Sequence, residues 1–246
     1  MAKIRADTAA AVRRELAGLA DKRKAVIFSR FFKAGKGDYG EGDKFYGISV
    51  PQVRAVVARH LGLPHAEVAK LLADPMHECR LTAVIILVEQ YERAASPAEE
   101  TAIAQFYLSH LDGVNNWDLV DASAYCLLGE YLAERPRGVL YELAASGHLW
   151  RERVAVVSTL AFIRRGDFAD IFKLSEQFLS HRHDLIHKAC GWMLREAGKR
   201  DAAALKAFLR DHGDNMPRTM LRYAIERFTP EERAGFLAMG KGKKRS

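Results

Sequence analysis

Proline is scarce in this chain, with 7 in 246 residues, and no stretch shows the alternating apolar pattern of a strand. Ala, Leu, Arg and Glu are abundant instead, so an all-helical fold is expected. Cysteine is scarcer still. Cys79, Cys126 and Cys190 each lie in an apolar-periodic segment, and no Cys-x-x-Cys pair occurs. An odd, scattered set argues against a disulfide framework and for a reducing compartment. The start, MAKIRADTAA, lacks an apolar signal-peptide core, and no apolar run approaches membrane-spanning length. A cytoplasmic protein with no membrane partner is therefore expected.

The composition is 49% hydrophobic and 28% charged, which suits one large or two small globular domains. The net charge of +7 and pI of about 9.3 favour a polyanionic partner, nucleic acid first.

Asp7 is placed to cap a first helix to about residue 20, and a second runs to about residue 33. Residues 34–49, AGKGDYGEGDKFYGIS, hold five glycines and read as a loop. The Gly-Lys-Ser/Thr ending of a phosphate loop is missing. Pro51 fits the first turn of a third helix ending near Gly62, and helices follow over 64–73, 77–94 and 97–111.

From there the chain repeats. A basic residue followed by an apolar helix recurs at Arg80, Arg153, Lys188 and Arg222, with the helix at Trp117 filling the gap after Arg80. The spacing of roughly 35 residues is that of stacked helix pairs of the HEAT sort. The expected architecture is a right-handed superhelix of antiparallel helix pairs with a concave face. Residues 1–239 would form one such domain, and residues 240–246 a short basic disordered tail.

Residues 113–131, GVNNWDLVDASAYCLLGEY, are the stretch on which the rest is organised. Asn115 and Asn116 form a turn that feeds a helix cap, and Trp117 opens the helix. Trp117, Val120, Ala124, Leu127, Leu128 and Tyr131 share one stripe. Asp121 lies one turn above Trp117 at the edge of that stripe, where a carboxylate is costly unless something needs it. It reads either as a helix-start cap or as a desolvated carboxylate beside an aromatic wall.

Two further helices carry candidates. Ile186, Ala189, Cys190, Met193 and Ala197 form a core stripe, and Trp192 lies off it on the side of Lys188, Arg195 and Lys199. Trp192 either packs against the next repeat or serves as an aromatic platform flanked by phosphate-binding cations. Arg153 sits in a helix over 149–164 that is apolar nearly all round, with Val154, Val156, Val157 and Leu160 close by. It needs an anion there, either a neighbouring carboxylate or a phosphate. HRHDLIH puts His183 and His187 at i, i+4 spacing but has Asp184 in place of the glutamate of the zinc-protease pattern, and no third ligand is evident. No metal or cofactor is expected.

With these residues gathered, the sequence resembles the AlkD-type DNA alkylation repair glycosylases. The motifs NNWDLVD, WRER, KACGWMLREAGK and YGEGDKFYGISVPQVR carry the likeness, which extends over most of the chain. The resemblance implies hydrolysis of the N-glycosidic bond of cationic alkylated purines, N3-methyladenine and N7-methylguanine, in duplex DNA by a monomer without an obligate protein partner. It implies Asp121 as the catalytic aspartate, Trp117 and Trp192 as lesion-facing tryptophans, Arg153 as the active-site arginine and Phe31 as the N-terminal aromatic. Some relatives on this scaffold have lost the activity, so an inactive helical-repeat scaffold that binds nucleic acid or protein is the alternative. A metal hydrolase at His183 and His187 is a weaker third reading.

Overall fold

Thr8, not Asp7, opens the first helix. Its side chain accepts from the Ala11 N–H, while Asp7 pairs with His60. The computed structural model describes residues 7–239, so the tail lies outside the described residues. Regular structure among those residues is helical, and loop 34–49 makes only an isolated bridge between Lys44 and Met76. The packing divides into two units, residues 1–123 and 124–246.

The first unit contains α1 (Ala9–Gly18), α2 (Lys22–Phe31), α3 (Val50–Val57), α4 (His65–Leu72), α5 (His77–Glu92), α6 (Pro97–Ser109) and most of α7 (Trp117–Ala124). Ser49 and Gln52 form a capping box at α3, with Pro51 in its first turn as expected. The helix stops at Val57 rather than near Gly62. Arg59 and His60 bond back to Val56 and Val57 in tighter three-residue turns, and the ring of His60 is held by Asp7 and Glu15. Residues 77–87 of α5 are all buried, so this helix is the centre of the unit.

Loop 34–49 is tied down rather than free. Glu78, buried in α5, accepts the N–H groups of Tyr46, Gly47 and Ile48 at 2.9, 2.8 and 3.1 Å. Two glycines let the loop pass close to other backbone. A Cβ at Gly40 would meet the Phe32 carbonyl at 2.5 Å, and Gly47, at φ +84°, lies against the first turn of α2.

In the second unit, a π-helical turn over Tyr125–Gly129 and a short α8 (Glu130–Leu132) continue the chain from α7. α9 (Gly138–Ala144), α10 (Leu149–Ser158), α11 (Leu160–Arg164), α12 (Ala169–Gln177), α13 (Asp184–Arg200), α14 (Ala202–His212), α15 (Arg218–Ala224) and α16 (Pro230–Ala238) follow. α9 pairs with α10, α12 and α14 pack on α13, and α13 lies against α10 and α15. This is the helix-pair arrangement that the period of the sequence implies. The core stripe of α13 is buried throughout, each large side chain contributing about 1.5–3 kcal/mol.

The expected helix over 149–164 is broken. Ser158 donates to the Val154 and Ala124 carbonyls, and Thr159 to that of Val156. Such hydroxyls compete for carbonyls that a straight helix would use, and α11 starts afresh beyond them.

Candidate functional site

The aromatic centre of the first unit is built by the end of α2, loop 34–49 and the start of α7. Phe32 stacks on Trp117 at 5.2 Å between ring centroids and on Phe45 at 5.3 Å. Phe31 meets Trp117 edge-on at 5.7 Å and keeps its outer side in solvent. Each such pair is worth about 0.5–1.5 kcal/mol beyond area burial. The structure thus brings together Phe31 and Trp117, two residues singled out from the sequence, and backs them with Phe32 and Phe45, which were not.

Behind the rings lies a buried charge network that sequence reasoning missed. The imidazole of His77 is held between two carboxylates, Nδ1 at 2.9 Å from Asp43 and Nε2 at 2.8 Å from Asp118. Arg80 pairs with the other oxygen of Asp43 and donates to the Asp74 carbonyl at 2.7 Å. Asn116 donates to Asp43 at 3.2 Å. Burial alone would lower the pKa of His77, but its hydrogen bonds to Asp118 and Asp43 and their charges outweigh it and hold it at about 9. Burial likewise pushes the Asp43 carboxyl up, and its bond to His77 and the charge of Arg80 more than reverse that. His77 is therefore an imidazolium at neutral pH, with its ring faces against Phe32 and Phe45, both at 4.8 Å.

Asp118 is the second residue of α7, so this network fixes the helix that carries Trp117 and Asp121. Asn116 closes the helix start. Its side-chain oxygen accepts from the Trp117 N–H at 2.8 Å, and its carbonyl accepts the first helical bond, from Val120. Asp121 is the fifth residue of α7, beyond the N–H groups that a cap serves. Leu119, Val120 and Ala124 are buried around it, and Asp121 is half-buried, one turn from Trp117.

In the second unit, Arg153 is buried in the first half of α10 and donates to the Leu185 carbonyl at 2.7 Å. Arg80 occupies the corresponding place in α5 and makes the same kind of bond, so two of the recurring basic residues are buried arginines, whereas Lys188 is half-buried and Arg222 exposed.

Trp192 is half-buried and lines a cleft with Leu160, Ile163, Arg164, Glu196 and Lys199. The cations near it are not bare. Lys199 lies 2.7 Å from Glu196, Lys188 lies 2.9 Å from Asp184, and Arg195 pairs with Glu226. A phosphate binding there competes with carboxylates already in place.

The histidines of HRHDLIH are engaged locally. His183 Nδ1 accepts from the Leu185 N–H, His187 Nε2 donates to the His181 carbonyl, and His181 pairs with Glu152. Among the described residues no group of three or more His, Cys, Asp or Glu is placed to hold a metal ion, and no helix is long and apolar enough to cross a membrane.

Comparison with known proteins agrees with this fold. A solved structure described as a predicted DNA alkylation repair enzyme from Enterococcus faecalis superposes with a TM-score of 0.64 at 18% identity, over 86% of this chain and 97% of that one. No curated protein matches the sequence. The sequence profile of the DNA alkylation repair enzymes matches residues 12–228, and the chain belongs to that family.

Proposed function

We propose that the protein is a monofunctional DNA glycosylase that hydrolyses the N-glycosidic bond of cationic alkylated purines, N3-methyladenine and N7-methylguanine, in duplex DNA and leaves an abasic site. The observation that carries this reading is the pairing on α7 of a half-buried carboxylate, Asp121, with the ring of Trp117 one turn away. Trp117 is itself held by Phe31 and Phe32.

The chemistry suits these groups. Alkylation at N3 or N7 makes the purine cationic and a good leaving group, so no strong general acid is needed. As the bond breaks, positive charge moves onto the deoxyribose. Asp121 stabilises that oxocarbenium-like state electrostatically and orients the attacking water. The π face of Trp117, and by the family likeness that of Trp192, attracts a cationic sugar or base. Arg153 is assigned to a backbone phosphate near the lesion, and Lys188, Arg195 and Lys199 to flanking phosphates.

The test is release of methylated purine from alkylated duplex DNA by the purified protein. Release of N7-methylguanine and N3-methyladenine with the phosphodiester backbone intact supports the reading. Duplex binding without release would make the protein a nucleic-acid-binding scaffold.

A further inference from the structure

Helix α2 turns its apolar stripe outward. Its inner side chains, Phe28 and the following Phe32, pack on Phe45. On the opposite face, Arg23, Val26, Ile27, Arg30 and Phe31 follow i, i+3, i+4, i+7, i+8 spacing and so share one side. Val26 is 55% exposed, and Ile27 and Phe31 are each 61% exposed. The helix is firmly seated all the same. The Asp21 N–H bonds the Tyr46 carbonyl at 2.9 Å, and a Cβ at Gly47 would collide with the Asp21 carbonyl. At the other end Phe32 is stacked among Phe45, His77 and Trp117. The stripe is thus a presented surface and not a fraying end.

Its charge is one-sided. Lys22, Arg23, Lys24, Arg30 and Lys33 lie along or just beyond the helix. Asp21 is spent on capping the helix and pairing with Lys24 at 3.7 Å. Arg23 and Arg30 form no ion pair among the described residues. They stand seven residues apart, about 10 Å along the helix axis. That separation reaches both phosphate rows bounding a minor groove about 6 Å wide.

We infer that this outer stripe is a contact surface for duplex DNA beside the alkylated nucleotide. Val26 and Ile27 lie against sugar and base edges in the minor groove, and Arg23 and Arg30 hold a phosphate on either side. Apolar side chains bracketed by cations are the means by which minor-groove proteins press on a base step. The stripe runs through Phe31 to its edge contact with Trp117, which joins it to the ring that the glycosylase reading places at the lesion. Three exposed apolar side chains fall well short of the roughly 800 Å² per partner of a stable protein interface, so a second copy of the chain fits less well. The inference rests on the glycosylase reading for the identity of its ligand.

The experiment measures binding of the full chain to a duplex carrying a tetrahydrofuran abasic analogue, by fluorescence anisotropy between 50 and 200 mM salt. Circular dichroism serves as the folding control. Val26→Ser with Ile27→Ser should raise Kd about tenfold and leave the salt slope unchanged, because no cation is lost. Arg23→Gln with Arg30→Gln should flatten the log–log slope by about two units. Wild-type binding by both pairs overturns the inference, and leaves the glycosylase reading standing if the wild type still releases methylpurine. Weakened binding in a protein that releases nothing keeps the surface and removes the enzyme. Unchanged DNA binding with lost binding to vesicles of anionic phospholipid would assign the stripe to a membrane and overturn the inference.

Discussion

Asp118, at the start of α7, places a carboxylate oxygen 2.8 Å from Nε2 of His77, at the start of α5. The other carboxylate oxygen, Oδ1, is buried without a hydrogen-bond partner among the described residues. This bond and the one from His77 to Asp43 join loop 34–49, α5 and α7 around a buried cation. The aromatic cluster that holds Trp117 rests on it.

Stability should therefore fall in mild alkali. His77 has its pKa raised from 6.5 to about 9, chiefly by Asp118 and Asp43 against the opposing effect of burial. A raised pKa means that the contribution is fully present below about 6.5 and is lost as pH rises through about 9. The full span corresponds to roughly 3 kcal/mol, shared with Asp43, to which His77 is coupled. Asp43, with its pKa lowered, works the other way, and its contribution is lost as pH falls through that lowered value. Urea denaturation at pH 6.5 and pH 9.5 measures the alkaline effect. His77→Gln should be less stable at pH 6.5 and lose much of the dependence. An equal pH dependence in wild type and variant would remove His77 from the account.

Gly191→Ala should be strongly destabilising. Residue 191 lies where α13 meets α15, and an added Cβ would stand 2.5 Å from both the Met220 carbonyl and the Tyr223 Cβ. Neither backbone nor a Cβ can swing aside, so the two helices must separate, at a cost of about 1–3 kcal/mol. Gly138→Ala has nothing within 4 Å and is the control. Equal thermal midpoints for the two variants would show that the α13–α15 contact yields easily.

Much of this was readable from periodicity. The stripe Ile186, Ala189, Cys190, Met193 and Ala197 is buried, and buried arginines recur at Arg80 and Arg153. Phe31, which meets Trp117, was named by the family resemblance and not by periodicity. What periodicity cannot reach is contact between distant segments. Asp43 looks like one more polar residue of a glycine-rich loop, and its partner His77 is 34 positions away. The carboxylates near Trp192 were visible in sequence only in part. Glu196 is local, whereas Glu226 lies 31 positions beyond its partner Arg195. Helix ends were misplaced where side chains took over the bonding, at Thr8, around Ser158 and Thr159, and after Val57.

Because Glu196 occupies Lys199, at 2.7 and 2.8 Å from its two oxygens, Glu196→Gln should free a cation. The proposed role of Lys199 then requires tighter duplex binding and a log–log salt slope steeper by up to about one unit. Lys199→Gln should show the reverse. If both variants keep the wild-type slope between 50 and 200 mM salt, Lys199 does not meet a phosphate.

Asp121→Asn separates an enzyme from a scaffold. The side chain is half-buried, one turn above Trp117 and between the buried Val120 and the half-buried Ala122. In such surroundings a charge acts through an effective dielectric well below that of water, and stabilising a developing cation there is worth several kcal/mol. The amide keeps the shape and one acceptor oxygen but not the charge. Excision should fall on the order of a hundredfold or more, as when one preorganised electrostatic group is removed. The fold should persist, because Leu119, Val120 and Ala124 remain buried and Asn116 still closes the helix start. Duplex affinity should be equal or slightly higher, since a negative charge has left a surface assigned to phosphates. Single-turnover release of N7-methylguanine and N3-methyladenine is the measurement, with circular dichroism beside it. A folded variant that excises at the wild-type rate would leave Asp121 without a catalytic role and take the proposed mechanism with it.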